Sequence, residues 1–231
     1  MDTTTNSFRF NLEPLDHAIV EALRQALENI MPDIMTDNNL SERLAYGQFR
    51  WNVIIAQLKD KCQHLGWLEP GLCKRGAWKT PVLFHPEKRF IFTLMTESTF
   101  ASIQRRKNKG MHYLCAGADF NQDLQAQFEQ QELDLPPVES SAAQWIVKSK
   151  EQLAEAVKVN VGEVNGHILV LFDTQVDKLI SVRAVRLTSK LEISTEEENW
   201  TKYIRIPYSA NQEIIPLQND DSEDEELVEL L

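Results

Sequence analysis

Pro81-Val-Leu-Phe-His-Pro-Glu-Lys-Arg-Phe-Ile-Phe-Thr-Leu-Met95 is the stretch on which the reading of the fold turns. Two apolar runs, Pro81–Phe84 and Arg89–Met95, flank His85-Pro86-Glu87-Lys88, which has the length and residue types of a hairpin loop. Phe90, Ile91, Phe92, Leu94 and Met95 leave few polar positions on either face. The second run is therefore expected in the middle of a sheet.

Around this hairpin the charge reverses. Between Gly71 and Tyr113 stand nine basic residues, at positions 74, 75, 79, 88, 89, 105, 106, 107 and 109, against Glu87 and Glu97, a local net of +7 in a chain of net −11. The flanks are acidic: residues 12–64 carry −3, residues 114–164 carry −6 and residues 217–231 carry −7. Trp78, Phe84, Phe90, Phe92, Phe100 and Tyr113 interleave rings with these cations. Charge asymmetry of this kind points to a polyanion as partner.

A chain of 231 residues, 42% apolar and 26% charged, can bury a core of ordinary size. No run approaches the roughly 20 apolar residues of a membrane span, and MDTTTNSFRF has neither the basic nor the apolar part of a signal peptide. Cys62, Cys73 and Cys115 are an odd, sparse set that suits free thiols in a reducing compartment. The expectation is a cytoplasmic protein with no membrane association.

Upstream, Leu15, Ile19, Leu23, Leu27 and Ile30 recur at helical spacing. Asn11 is the expected cap and Pro32 the expected stop. Leu44, Trp51, Ile54, Leu58, Cys62 and Leu65 mark a second helix, with Gly66 after it. Arg43, Arg50, Lys59 and Lys61 are too few, beside Glu42 and Asp60, for a DNA-reading helix. Downstream, Glu97–Lys107 reads as a short helix with Arg105, Arg106 and Lys107 in its last turn, where the helix dipole favours cations. Leu114–Gln131 reads as a loop and a polar helix, Asp134–Ser141 with Pro136 and Pro137 as a linker, and 142–157 as a further helix. His167–Phe172 and Leu179–Leu187 form a second hairpin, a further strand is possible at 190–194, Glu196–Trp200 reads as a turn, and Tyr203–Ile206 as an edge. The predicted fold is α+β: helices at 12–32 and 41–65 packed on a mixed or antiparallel sheet of two hairpins. Residues 1–11 are frayed, 12–216 form one domain with a lobe boundary available at 134–141, and 217–231 are a disordered acidic tail.

Arg75-Gly-Ala-Trp78 followed by Val82-Leu-Phe-His85, then Phe92-Thr-Leu-Met95, His112-Tyr-Leu114, Leu169-Val-Leu-Phe172, Ser181-Val-Arg-Ala-Val185 and Glu197-Glu-Asn-Trp200 occur in an order that resembles a bacterial family described as a domain of unknown function. The resemblance spans residues 10–206 and leaves the acidic tail outside. It implies a bacterial, cytoplasmic protein and carries over no activity and no functional residue.

Sites of known chemistry are scarce. Eight scattered glycines build no phosphate-binding loop, there is no Gly-x-Ser-x-Gly elbow, and no Glu-x-Lys or Asp-x-Lys pair marks the common nuclease core. Asp173 and Asp177 remain for a divergent metal-dependent nuclease; the plainer reading is that Asp173 and Asp177 accept from local backbone N–H groups in a loop. Cys62, His64, Cys73, His112 and Cys115 offer zinc-type ligands without a tight Cys-x-x-Cys pair. No metal and no cofactor are expected. The leading expectation is a non-enzymatic binding protein that contacts nucleic acid or an acidic protein through Lys74, Arg75, Trp78, Lys79, Lys88, Arg89, Arg105, Arg106, Lys107, Lys109 and Tyr113. The alternatives are a protein-interaction factor without polyanion affinity and the nuclease.

Overall fold

The computed structural model describes residues 9–38, 46–65, 70–75, 78–106, 112–125, 141–176 and 178–204. The first helical rod comprises α1 (Leu15–Arg24), a π-helical stretch (Gln25–Ile30) and α2 (Met31–Asp37). Pro32 does not end it. The widened turn that precedes Pro32 leaves space for the ring that an α-helical turn would crowd, and the rod continues. Asn11 does not cap it either, because α1 begins at Leu15 after Pro14 and Asn11 sits at φ 52°. The second helix, α3, spans Tyr46–His64.

The chain then forms β1 (Gly71–Arg75), β2 (Trp78–His85) and β3 (Phe90–Thr96). Among the described residues four α-helices follow: α4 (Glu97–Gln104), α5 (Tyr113–Asp119), α6 (Gln122–Gln125) and α7 (Ser141–Ala156). The chain returns through β4 (Gly166–Gln175), β5 (Lys178–Leu187) and β6 (Ile193–Asn199). The six strands make one mixed sheet in the order β1-β2-β3-β4-β5-β6, antiparallel throughout except for the parallel pair β3 and β4. The expected pair of hairpins is thus two three-stranded meanders, each with an added edge strand, β1 and β6. The Pro136-Pro137 linker, apart from Ser141, and the acidic tail lie outside the described residues.

Successive side chains of β3 alternate between two apolar layers, as pleating demands. Phe92 and Leu94 join Leu15, Ile19, Leu23, Leu27, Ile54 and Leu58 on one face. Ile91 and Met95 join Phe100, Ile103, Leu114, Leu153 and Val157 on the other. Polar groups in the second layer are tied together by Asn121. Its Oδ1 accepts from His167 N at 2.8 Å and from the Arg186 guanidinium, and its Nδ2 donates to Leu187 O. Arg186 also binds Asp123 and Glu196.

Those contacts explain why residues 196–199 are strand rather than the expected turn. Glu196 meets Arg186, Glu197 meets Arg183, and the buried Glu198 accepts from Phe10 N at 2.9 Å. Partners on β5 and at the N-terminus offset the charge that makes an acidic run look like a solvated loop. The helix after β3 is also shorter than expected. It ends at Gln104 with Arg105 as its C-cap, so Arg105 and Arg106 stand past its last turn, and Lys107 lies outside the described residues.

Candidate anion-binding cleft

β1 ends, β2 begins and β3 ends at the same end of the sheet, and a cleft of about 670 Å³ lies there. Lys74 on β1 and Lys79 on β2 line it, with Arg106 from the segment after α4 and His112 from the N-cap of α5. Lys74 and Lys79 are register partners, so their side chains leave the same face of the sheet side by side. Cys73 and Thr80, also partners, leave the opposite face. The cleft therefore wraps round the end of the sheet. Trp51 of α3 closes it on one side and Tyr113, Trp145, Ser149 and Gln152 on the other.

The electrostatics of the lining are one-sided. Among the described residues no carboxylate lines the cleft, and Lys74, Lys79 and Arg106 make no ion pair. Several cations elsewhere are matched: Arg183 binds Glu97 and Glu197, Arg186 binds Asp123 and Glu196, and Lys150 binds Asp119 at 2.7 Å. His112 contributes a ring whose Nδ1 accepts from Leu114 N at 3.3 Å. A concave site with several positive groups and no internal counter-charge is built to receive an anion.

Of the eleven residues singled out in sequence, Lys74, Lys79, Arg106 and Tyr113 line this cleft. Arg75 and Trp78 are register partners one step further along the same hairpin. Arg105 precedes Arg106 and is exposed, while Lys107 and Lys109 lie outside the described residues. Lys88 and Arg89 are not part of the group. They sit at the far end of β2 and β3, roughly 20 Å away at the rise of a strand, and Arg89 donates from Nε to Glu163 O at 2.6 Å. Trp51, Trp145, Ser149 and Gln152 were not legible as site residues. The i, i+4, i+7 spacing on α7 is the signal that relates the last three, but only the position of α7 gives it meaning.

The other chemistries have different surroundings. Cys62 is buried in the apolar layer under α3, where burial pushes its thiol up to about 11, whereas Cys73 belongs to the opposite layer. The two do not share a site. Asp173 lies in β4 rather than in the expected loop, beside a register shift between Asp173 and Thr174; it is exposed and its Oδ1 accepts from Thr174 N at 2.9 Å; Asp177 lies outside the described residues. Glu13, Asp16 and His17 bring three possible ligand atoms within 4.8 Å of one another. Burial pushes the Asp16 carboxyl up, and its Oδ1 accepts from His17 N at 2.8 Å.

Fold and cleft together define an α+β protein with a six-stranded mixed sheet and a cationic cleft at one end of it. The chain belongs to a family of unknown function (DUF5986), whose model matches residues 7–230. That match takes in the acidic tail, which the motif resemblance had left outside. No curated protein and no solved structure matches the chain. Among the described residues no helix is long and apolar enough to cross a membrane.

Proposed function

We propose that the protein is a non-enzymatic binding protein that holds a polyanion, foremost a nucleic acid, in this cleft. The observation that carries the reading is the concentration of Lys74, Lys79 and Arg106 in one concavity with no lining carboxylate among the described residues, inside a chain of net −11. None of the three has a carboxylate partner among the described residues, and a bound phosphate supplies one. The overall charge repels a polyanion at long range, so binding is local and depends strongly on salt. The proposal includes a bacterial cytoplasmic setting, which suits the free Cys62, Cys73 and Cys115.

Filter binding of DNA and RNA at low and moderate salt tests it. With three cationic contacts to a single strand, log affinity falls against log salt with a slope of about −2. Changing Lys74, Lys79 and Arg106 together to Glu abolishes retention on this reading. Retention that persists in that variant, or a slope near zero, removes the proposal, and co-purification of a stoichiometric protein partner without nucleic acid favours the protein-interaction alternative.

A further inference from the structure

α7 turns a specific face to the cleft. Trp145, Ser149 and Gln152 lie at i, i+4 and i+7, so they stack along one side of the helix, and all three line the concavity. Gly71 fixes that face in place, since a Cβ there would fall 1.7 Å from Ala156 O at the end of α7. β1 therefore packs against the α7 backbone with no space between them. Trp145 is half-buried. Ser149 is only 6% exposed, yet its hydroxyl has no hydrogen-bond partner among the described residues. Its oxygen is not sealed from solvent, and the cleft is where that solvent lies, so a ligand there can replace water as its partner.

We infer that this stripe receives an unpaired nucleobase, and hence that the cleft binds single-stranded rather than duplex nucleic acid. The inference rests on the polyanion reading above and narrows its ligand. Trp145 offers a ring on which a base can stack whatever its identity. Ser149 and Gln152 each present both donor and acceptor atoms, the equipment needed to meet the edge of a base. Lys74, Lys79 and Arg106 take the phosphates. The cleft is of nucleotide dimensions rather than a long track, and Lys88 and Arg89 stand at the other end of the strands. A duplex, whose bases are stacked on each other and whose phosphates run on over many base pairs, has nothing to match this arrangement.

Fluorescence anisotropy with the full chain provides the test, using three probes: a labelled single-stranded oligonucleotide of roughly 12 nucleotides, the same sequence as a duplex, and labelled heparin, a polyanion without bases. The single strand is expected to bind more tightly than the duplex. Trp145→Ala lowers single-strand affinity roughly tenfold or more and leaves heparin affinity unchanged, which also reports that the variant is folded. Trp145→Phe, which keeps a ring, retains most of the single-strand affinity, and Ser149→Ala alters the preference among homopolymers. Equal affinity for single strand and duplex, or Trp145→Ala binding the single strand as the parent does, overturns this inference and leaves polyanion binding standing. Failure of all three probes to bind removes both.

Discussion

Lys74 and Lys79 stand directly opposite each other in the β1–β2 register, and among the described residues no carboxylate lines the cleft they share. Like charges in that position destabilise a strand pair by about 0.2–1 kcal/mol. Lys79→Glu converts repulsion into a cross-strand ion pair. The variant is expected to melt at the same or a slightly higher temperature than the parent while losing affinity for polyanion. A variant less stable than the parent, with affinity intact, contradicts the assignment of the pair to binding rather than folding.

The acidic tail offers seven carboxylates to the same cations in trans or in cis. Removing residues 217–231 is expected to tighten polyanion binding, most at low salt, because a competing anion and part of the long-range repulsion are lost together. Titrations of full-length and shortened protein side by side measure this. Identical affinities across the salt range rule the competition out.

His167 gives the fold a pH dependence. Its ring is fully buried, with Nε2 2.9 Å from Thr93 Oγ1, and burial, reinforced by the Arg186 charge, brings its pKa from 6.5 down to about 3. The unfolded chain takes up a proton near its ordinary value that the folded protein refuses until about pH 3. Stability therefore declines as pH falls through that window and recovers as it rises. Urea midpoints are expected to be lower at about pH 5 than at about pH 7. His167→Gln, less stable at neutral pH, loses part of that slope. His85, pushed the same way by burial, keeps a remainder. Midpoints independent of pH in the parent contradict this account.

Arg186 and Arg183 differ in what their removal does. The Arg186 side chain is 5% exposed and that of Arg183 28%. Arg186→Ala strands Asn121, Asp123 and Glu196 around an emptied site and is expected to cost about 3–5 kcal/mol. Arg183→Ala leaves Glu97 and Glu197 closer to water and costs on the order of 1 kcal/mol. Equilibrium unfolding of both variants measures the difference, and equal losses contradict the ranking.

The apolar run at 90–95 was enough to assign a strand covered on both faces, and the reversal of charge between 71 and 113 was enough to mark where cations gather in sequence. Both follow from local composition and spacing, which the chain carries in one dimension. Glu196–Glu198, the fourth to sixth residues of β6, read as a turn because their partners, Arg186, Arg183 and the Phe10 amide, come from other segments. Pro32 read as a stop because a π-helical turn leaves no mark in composition. Convergence was likewise a tertiary matter: pairing of β1 with β2 and the end of β3 brought Lys74, Lys79 and Arg106 into one cleft, whereas strand length carried Lys88 and Arg89 to the far end. Residue types and their periods determined which segments would be helix, sheet and charged surface. Which charges meet a partner and which are left facing a cavity was decided by packing, because a charge is neutralised by whatever lies within a few ångströms in space, however distant in the chain.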